Sequence, residues 1–119
     1  MLLGHAQERL GDAAGAEQSY RRAVELDPNH ARGRLSLGTL LAERGARGEA
    51  IEQLSAAVRL RPDLADARFN LAKALAEEGR LPEALAQCDA LLQLRPQDHD
   101  AQTLRHELRA RLGQEGSGG

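Results

Sequence analysis

The sequence has few of the residues that strands, disulfides and aromatic-rich sites require. Of 119 residues, two are valine, one is isoleucine and two are threonine, and the aromatic residues are Tyr20 and Phe69. Strands favour β-branched and aromatic side chains, whereas alanine and leucine, with 21 copies each, favour helices. The single cysteine, Cys88, excludes an internal disulfide and a cysteine-based zinc site. The composition therefore predicts an all-α protein.

The chain also lacks an excess of charge of either sign and any long apolar run. Sixteen basic and eighteen acidic residues give a net charge of −2, unlike the basic footprint of a nucleic-acid binder. Apolar runs are too short to span a bilayer, and the start of the chain lacks the regions of a secretory signal. We therefore expect no nucleic-acid and no membrane partner, with the cytoplasm as the default compartment. Fifteen of the sixteen basic residues are arginine, which with the alanine content indicates a GC-rich bacterial genome.

What the sequence does have is a period of 34 residues. Proline recurs at positions 28, 62 and 96, and glycine recurs at 11, 45, 79 and 113. Alanine at 16, 50 and 84, leucine at 26, 60 and 94, and leucine at 3, 37 and 71 keep the same step. Five aligned columns at one spacing indicate an internal repeat.

Each set of residues that recurs at this spacing, here called a column, has a physical role in a helical hairpin. Leucines at 37, 40 and 41 lie on one face of a first helix, which Gly45 ends because glycine readily adopts a left-handed backbone. The second helix, about Arg47 to Leu60, is stopped by Pro62. The same column predicts helix ends at the other repeated glycines. Small residues at 4, 38 and 72 and at 16, 50 and 84 allow close helix contact, so Ala50→Leu is predicted to cost about 1–3 kcal/mol through overpacking.

These residues resemble the tetratricopeptide repeat, a helical hairpin with this punctuation. The stretch ADARFNLAKALAEEGRLPEALAQCDALLQLRPQD matches the family pattern closely. The resemblance implies a right-handed α-solenoid of antiparallel helix hairpins over residues 1–112. Its expected parts are a partial repeat at 1–30 with a short first helix, repeats at 31–64 and 65–98, and a capping helix at 99–112. A flexible Gly/Ser tail is expected at 113–119.

In this family the first helices line a concave groove that binds extended peptides, which implies a non-catalytic protein-interaction scaffold or adaptor. Carried over by repeat position, the peptide-binding candidates are Arg32, Leu35, Ser36, Thr39, Asp66, Phe69, Asn70 and Lys73. His5 would extend the groove, and its far end would be closed by Asp100, Thr103 and Glu107. Leu35 and Phe69 would bury an apolar side chain of the ligand, and Asn70 would hold its backbone. Arg32 and Lys73 would pair with acidic groups.

Each of these candidates has a purely structural alternative. Asn70 matches a family residue that often serves structure alone, and Arg32 and Lys73 would then belong to a solvated surface. Phe69 would pack between helices, and His5 would be a surface residue.

The clamp with which some family members bind the C-terminal carboxylate of chaperones is absent. In those family members the clamp is formed by Lys, Asn, Asn, Lys and Arg at fixed positions across three repeats. With Asn70 as the middle Asn, the other four positions hold Leu35, Thr39, Asp100 and Leu104.

The sequence also contains no constellation that would support catalysis. It has no triad arrangement, no metal-ligand spacing and no glycine-rich phosphate loop. Cys88 lies on the inner stripe of its helix, where a structural thiol is expected. We therefore expect no catalytic residue, no metal and no cofactor.

Two other hypotheses stay open. One is a structural spacer or self-association module of a longer array, stacking weakly through the flank of the truncated first helix at Met1, Leu2 and Leu3. The other is an arm of an enzyme whose catalytic domain follows Gly119.

Overall fold

The computed structural model describes the backbone of residues 2–118 and the side chains of residues 14–114. Over the described backbone it contains six helices and no strand. The helices are α1 (Leu2–Leu26), α2 (Ala31–Glu43), α3 (Arg47–Leu60), α4 (Ala65–Glu77), α5 (Leu81–Leu94) and α6 (His99–Gly118). Consecutive helices pack against each other and α2 also contacts α4, as in a helical repeat solenoid. We call α2–α3 hairpin A and α4–α5 hairpin B.

The turn inside each hairpin is set by the repeated glycine. Gly45 and Gly79 have φ angles of 87° and 79°, in the left-handed region that glycine tolerates best. In hairpin A the backbone N–H of Ala46 donates to the carbonyl oxygen of Leu41 at 2.8 Å, and that of Gly45 donates to Ala42 at 3.1 Å. This pair of bonds is the Schellman motif, which satisfies carbonyls at the helix end. The second helix of hairpin A begins at Arg47, as the repeat predicted.

The core is a continuous layer of leucine and alanine between the helices. Ala50 and Leu54 on the predicted inner stripe of α3 are fully buried. The largest fully buried side chains are Leu37, Leu41, Leu54, Leu81, Leu91, Leu108 and Cys88. The repeated leucines at 26, 60 and 94 are instead 81%, 37% and 43% exposed, so a leucine column can persist outside the core.

A close helix contact lies inside hairpin A at Gly38. A Cβ atom built there would lie 2.7 Å from Cγ of Leu54, closer than Cβ atoms come to any neighbour in real structures. In hairpin B the equivalent residues are Ala72 and Cys88, and both are fully buried in the same core cluster. The predicted small column is therefore needed for packing.

A polar clamp joins three segments of each repeat. Nε of Arg34 donates to the carbonyl oxygen of Pro28 at 3.0 Å, and another nitrogen of the same guanidinium donates to Oε1 of Gln53 at 3.0 Å. The clamp thus holds the proline turn, the first helix and the second helix together. The same roles are filled 34 residues later by Arg68, Pro62 and Gln87.

The predicted turn at Gly11 is wrong, because α1 runs through it as a single helix. Gln7 stands in the column that both hairpins fill with leucine, and Glu17 in the column they fill with isoleucine or leucine. A first helix folded back at this point would bury an amide and a carboxylate, at about 1–3 kcal/mol for each unsatisfied group. Glu17 instead accepts hydrogen bonds from Arg44 at 2.7 Å and Arg21 at 3.2 Å.

The predicted helix end at Gly113 is also wrong over the described backbone, because helix α6 continues through Gly113 to Gly118. Glycine costs only about 1 kcal/mol in a helix, so this glycine alone does not end it.

Candidate functional site

A concave cavity of about 510 Å³ lies between α2 and α4, with the second half of α1 on one side and the start of α6 on the other. We call this cavity the central groove. Six of the eight predicted binding residues line it, namely Leu35, Ser36, Thr39, Asp66, Phe69 and Asn70. The remaining lining residues are Tyr20, Leu40, Glu43, Ala65, Asp98 and Asp100. The repeat register therefore brings together side chains from two separate helices at one surface.

The other two predicted residues lie in depressions that adjoin the central groove. Lys73 lines one of about 240 Å³, which shares Thr39 with the groove. Arg32 lines another of about 340 Å³, which shares Tyr20 and Ser36 with it. We call the groove and these two depressions the concave face.

Both aromatic side chains of the protein line the central groove. Phe69 is half-buried and packs on a cluster that includes Ala65 and Leu91, so it fills space between helices and also forms part of the groove wall. Nζ of Lys73 lies 5.6 Å from the centroid of the Phe69 ring, within the range of a cation–π interaction. Tyr20, on α1, forms another part of the wall.

A hydrogen bond crosses the wall of the groove between the two hairpins. Nδ2 of Asn70 donates to Oγ1 of Thr39 at 3.0 Å. This bond uses one of the two amide hydrogens and fixes the orientation of the side chain. Asn70 therefore has a structural partner while it lines the groove.

Four carboxylates also line the central groove: Glu43, Asp66, Asp98 and Asp100. Asp98 accepts a hydrogen bond from the backbone N–H of Ala101 at 2.9 Å, which caps α6. Within the side chains that the structure describes, none of the four forms a salt bridge. Asp66 and Asp100 lie in the first turns of their helices, where negative charge is favourable.

Sequence reasoning missed five residues of the groove wall, namely Tyr20, Leu40, Glu43, Ala65 and Asp98. Tyr20 occupies the column of Leu54 and Cys88, so the repeat assigned it to the core rather than to a surface. Glu43 is the last residue of α2 and lies four residues after Thr39, so helical spacing from Thr39 could have identified it. Asp98 directly precedes α6, so extending the register by one residue before that helix could have identified it.

Of the remaining predicted groove residues whose side chains are described, one belongs to this site and two do not. Asp100 lines the groove as expected, but Thr103 and Glu107 line none of the three depressions of the concave face. His5 and the flank at 1–3 lie outside the residues whose side chains are described. His30 has a local role, because its Nδ1 accepts a hydrogen bond from the backbone N–H of Gly33 at 2.8 Å and caps α2.

The described side chains include histidines, carboxylates and the single cysteine, residue types that can bind metals. Among them, no group of three or more His, Cys, Asp and Glu residues is placed to hold a metal ion. Cys88 is fully buried, and its burial raises the pKa of the thiol to about 11, which keeps it protonated at neutral pH. Over the described residues, no helix has the length and apolar character needed to cross a bilayer.

Solved structures with this fold include several peptide-binding proteins. The crystal structure of MamA is 26% identical with a TM-score of 0.83, over 90% of this chain and 63% of that one. This chain thus spans less than two thirds of MamA. YrrB, described as a tetratricopeptide repeat protein with an unusual peptide-binding site, is 29% identical with a TM-score of 0.75, over 87% of this chain and 54% of that one.

A third structure shows the likeness of fold at lower identity. The first repeat domain of Spaghetti (RPAP3), bound to the HSP90 peptide SRMEEVD, is 18% identical with a TM-score of 0.84, over 92% of this chain and 87% of that one. None of the curated proteins matches the chain significantly.

The family assignment follows from the sequence of the repeats themselves. The tetratricopeptide repeat family matches residues 1–65 and 47–99, which together cover both hairpins and α1. Six helices with left-handed glycine turns agree with that match. The chain belongs to the tetratricopeptide repeat family.

Proposed function

We propose that this chain is a protein-interaction module that binds an extended segment of a partner protein in the central groove. The observation that carries the proposal is the convergence of Leu35, Thr39, Phe69 and Asn70 on one open cavity. The cavity size suits a few side chains of a peptide. Peptide binding by YrrB and by the Spaghetti domain supports the proposal by analogy of fold.

The groove offers two kinds of contact to such a segment. Leu35 and Phe69 form an apolar wall against which a side chain of the ligand loses its water. Asn70, held by Thr39, presents its amide to the ligand backbone, where it donates with its second hydrogen and accepts with its oxygen. A face of this size is expected to bind with micromolar affinity.

The proposal is tested with peptides selected on the wild-type protein from a random library. We expect the selected peptides to lose about tenfold or more in affinity for Phe69→Leu and for Asn70→Ala, since each change removes one of these contacts. The milder Phe69→Leu keeps most of the packing, and circular dichroism checks that the helices are intact.

A matched control lies on α3, outside the concave face. Glu52→Ala and Arg59→Ala change exposed side chains and should leave affinity unchanged. Peptides that bind the groove variants and the wild type equally would refute binding in the central groove.

The alternative of a spacer or self-association module depends on the flank at 1–3. Light scattering from micromolar to millimolar protein distinguishes it. A mass that increases with concentration would favour self-association, and a constant monomer mass would exclude it over that range.

A further inference from the structure

Ion pairing is less frequent for the carboxylates of the central groove than for the other described carboxylates. Outside the central groove, seven of the eleven described carboxylates form salt bridges with arginine: Glu17, Glu49, Asp63, Glu77, Glu78, Glu83 and Asp89. The four that line the central groove form none with any described side chain. With fifteen arginines in the sequence, the protein has enough cations to pair them, yet none of these four carboxylates forms an ion pair with a described cation at the place where a ligand would lie.

The concave face as a whole is negatively charged. Its three depressions are lined by six carboxylates and two cations, Arg32 and Lys73. The N-termini of α2, α4 and α6 each add about half a positive charge. These helix ends offset less than half of the net charge of −4 from the lining side chains, and Arg47 pairs with one of the six carboxylates, Glu77, so the face remains negative.

The groove also has aromatic surface of the kind that attracts cations. The faces of aromatic rings carry negative potential and attract ammonium and guanidinium groups. Within the protein itself, the ammonium group of Lys73 already lies over Phe69. A second cation approaching the groove would meet Tyr20 and Phe69 together with carboxylates.

From the unpaired carboxylates and the aromatic wall, we infer that the partner segment is basic: it carries lysine or arginine side chains next to an apolar residue. This inference rests on the proposed function, since it specifies the ligand of the same groove. The apolar residue packs on Leu35 and Phe69, while the flanking cations pair with Asp66, Asp98, Asp100 and Glu43. Charge complementarity of this kind sets specificity and association rate.

Three of these carboxylates also serve their own helices, which gives a competing explanation. Asp98 caps α6, and Asp66 and Asp100 lie in first turns. If they served only the helices, neutralising them would lower stability slightly and leave ligand preference unchanged. Glu43, in the last turn of α2, has no such role.

The experiment compares three blocked peptides that share a Leu-Phe centre: GKKLFKKG, GSSLFSSG and GEELFEEG. Binding to the full chain is measured by titration calorimetry at low and high salt. We expect the lysine peptide to bind about tenfold tighter than the serine peptide, and the glutamate peptide to bind most weakly. High salt should reduce these differences, because it screens exposed charges.

Two double variants each remove two negative charges, one variant from the central groove and the other from outside the concave face. Asp66→Asn/Asp100→Asn neutralises two exposed groove carboxylates, and we expect it to reduce the preference for the lysine peptide several-fold. Glu25→Gln/Glu52→Gln neutralises two exposed carboxylates that line none of the three depressions, and it should leave the preference intact. Urea unfolding of both variants separates a loss of stability from a loss of binding.

The outcomes separate the two proposals. Equal binding of the three peptides that is weakened by Phe69→Leu would overturn the inference of a basic partner and leave groove binding intact. Preference for the glutamate peptide would also overturn it, and would favour the pairing of Arg32 and Lys73 with acidic groups. Absence of any binding sensitive to Phe69→Leu would overturn both proposals.

Discussion

Hairpins A and B share their length, their glycine turn and their polar clamp, yet they fill the space between their helices differently. Hairpin A places Gly38 against Leu54, whereas hairpin B has Ala72 and Cys88 at the equivalent positions. The smaller first residue accompanies the larger second one. A change of size at one position is therefore offset in part at the other, because a packed interior tolerates neither a large void nor a clash.

The largest expected difference between the hairpins concerns the second member of this pair. Leu54→Ala should cost about 2–5 kcal/mol of unfolding free energy, since it removes a fully buried side chain and leaves a cavity. Cys88→Ala removes only one sulfur atom and should cost about 1–2 kcal/mol. Urea unfolding of both variants measures the difference. Equal costs would contradict the division of volume described here.

Where the two hairpins have the same residue at equivalent positions, the same substitution should lower the free energy of unfolding by the same amount. Ala50 and Ala84 are both fully buried in their second helices. Ala50→Leu and Ala84→Leu should each cost about 1–3 kcal/mol through overpacking. A urea midpoint unchanged from the wild type in either variant would refute close helix contact at that position.

Two glycines of hairpin A, Gly38 and Gly48, are expected to change the stability in opposite directions when each is replaced by alanine. Gly38→Ala should destabilise by about 1–2 kcal/mol, because the new Cβ would clash with Leu54. Gly48→Ala is the matched control: no atom lies within 4 Å of its new Cβ, and it should stabilise by about 0.5 kcal/mol through helix propensity. Thermal unfolding compares the two. Adding Leu54→Cys to Gly38→Ala reproduces the pair of hairpin B and should recover part of the loss.

A further difference between the hairpins depends on pH. The pKa of Cys88 is raised to about 11 in the folded protein, so between about pH 9 and 11 the unfolded chain releases a proton that the folded one keeps. Stability is therefore unaffected below pH 8 and falls as the pH rises through this window, by on the order of 1 kcal/mol at pH 10. Unfolding of the wild type and of Cys88→Ala at pH 8 and pH 10 isolates this contribution, and parallel losses in the two proteins would refute it.

The helices of the two hairpins could be predicted from the sequence because their ends depend on local chemistry. Glycine and proline set backbone angles wherever they occur, and the limits of α3 were predicted correctly from them. The same glycine column failed at Gly11 and Gly113. A turn also requires apolar residues on both sides that pack when the chain reverses, and around Gly11 two of those columns hold Gln7 and Glu17 instead.

The central groove could be predicted in part, for a similar reason. Repeat register placed Leu35, Phe69 and Asn70 on one face, and the structure brings them together. It could not reveal which carboxylates have arginine partners, because those partners come from neighbouring helices, as with Arg47 and Glu78. Pairing of charges is a property of the packed helices and not of the 34-residue period.

The hydrogen bond between Thr39 and Asn70 has a mechanical consequence. Thr39 belongs to hairpin A and Asn70 to hairpin B, so the bond acts as a strut across the junction of two repeats. Bending at that junction would strain this bond and change the width of the groove at the same time. The flexibility of the solenoid at this junction and the size of the segment that the groove can hold are thus coupled.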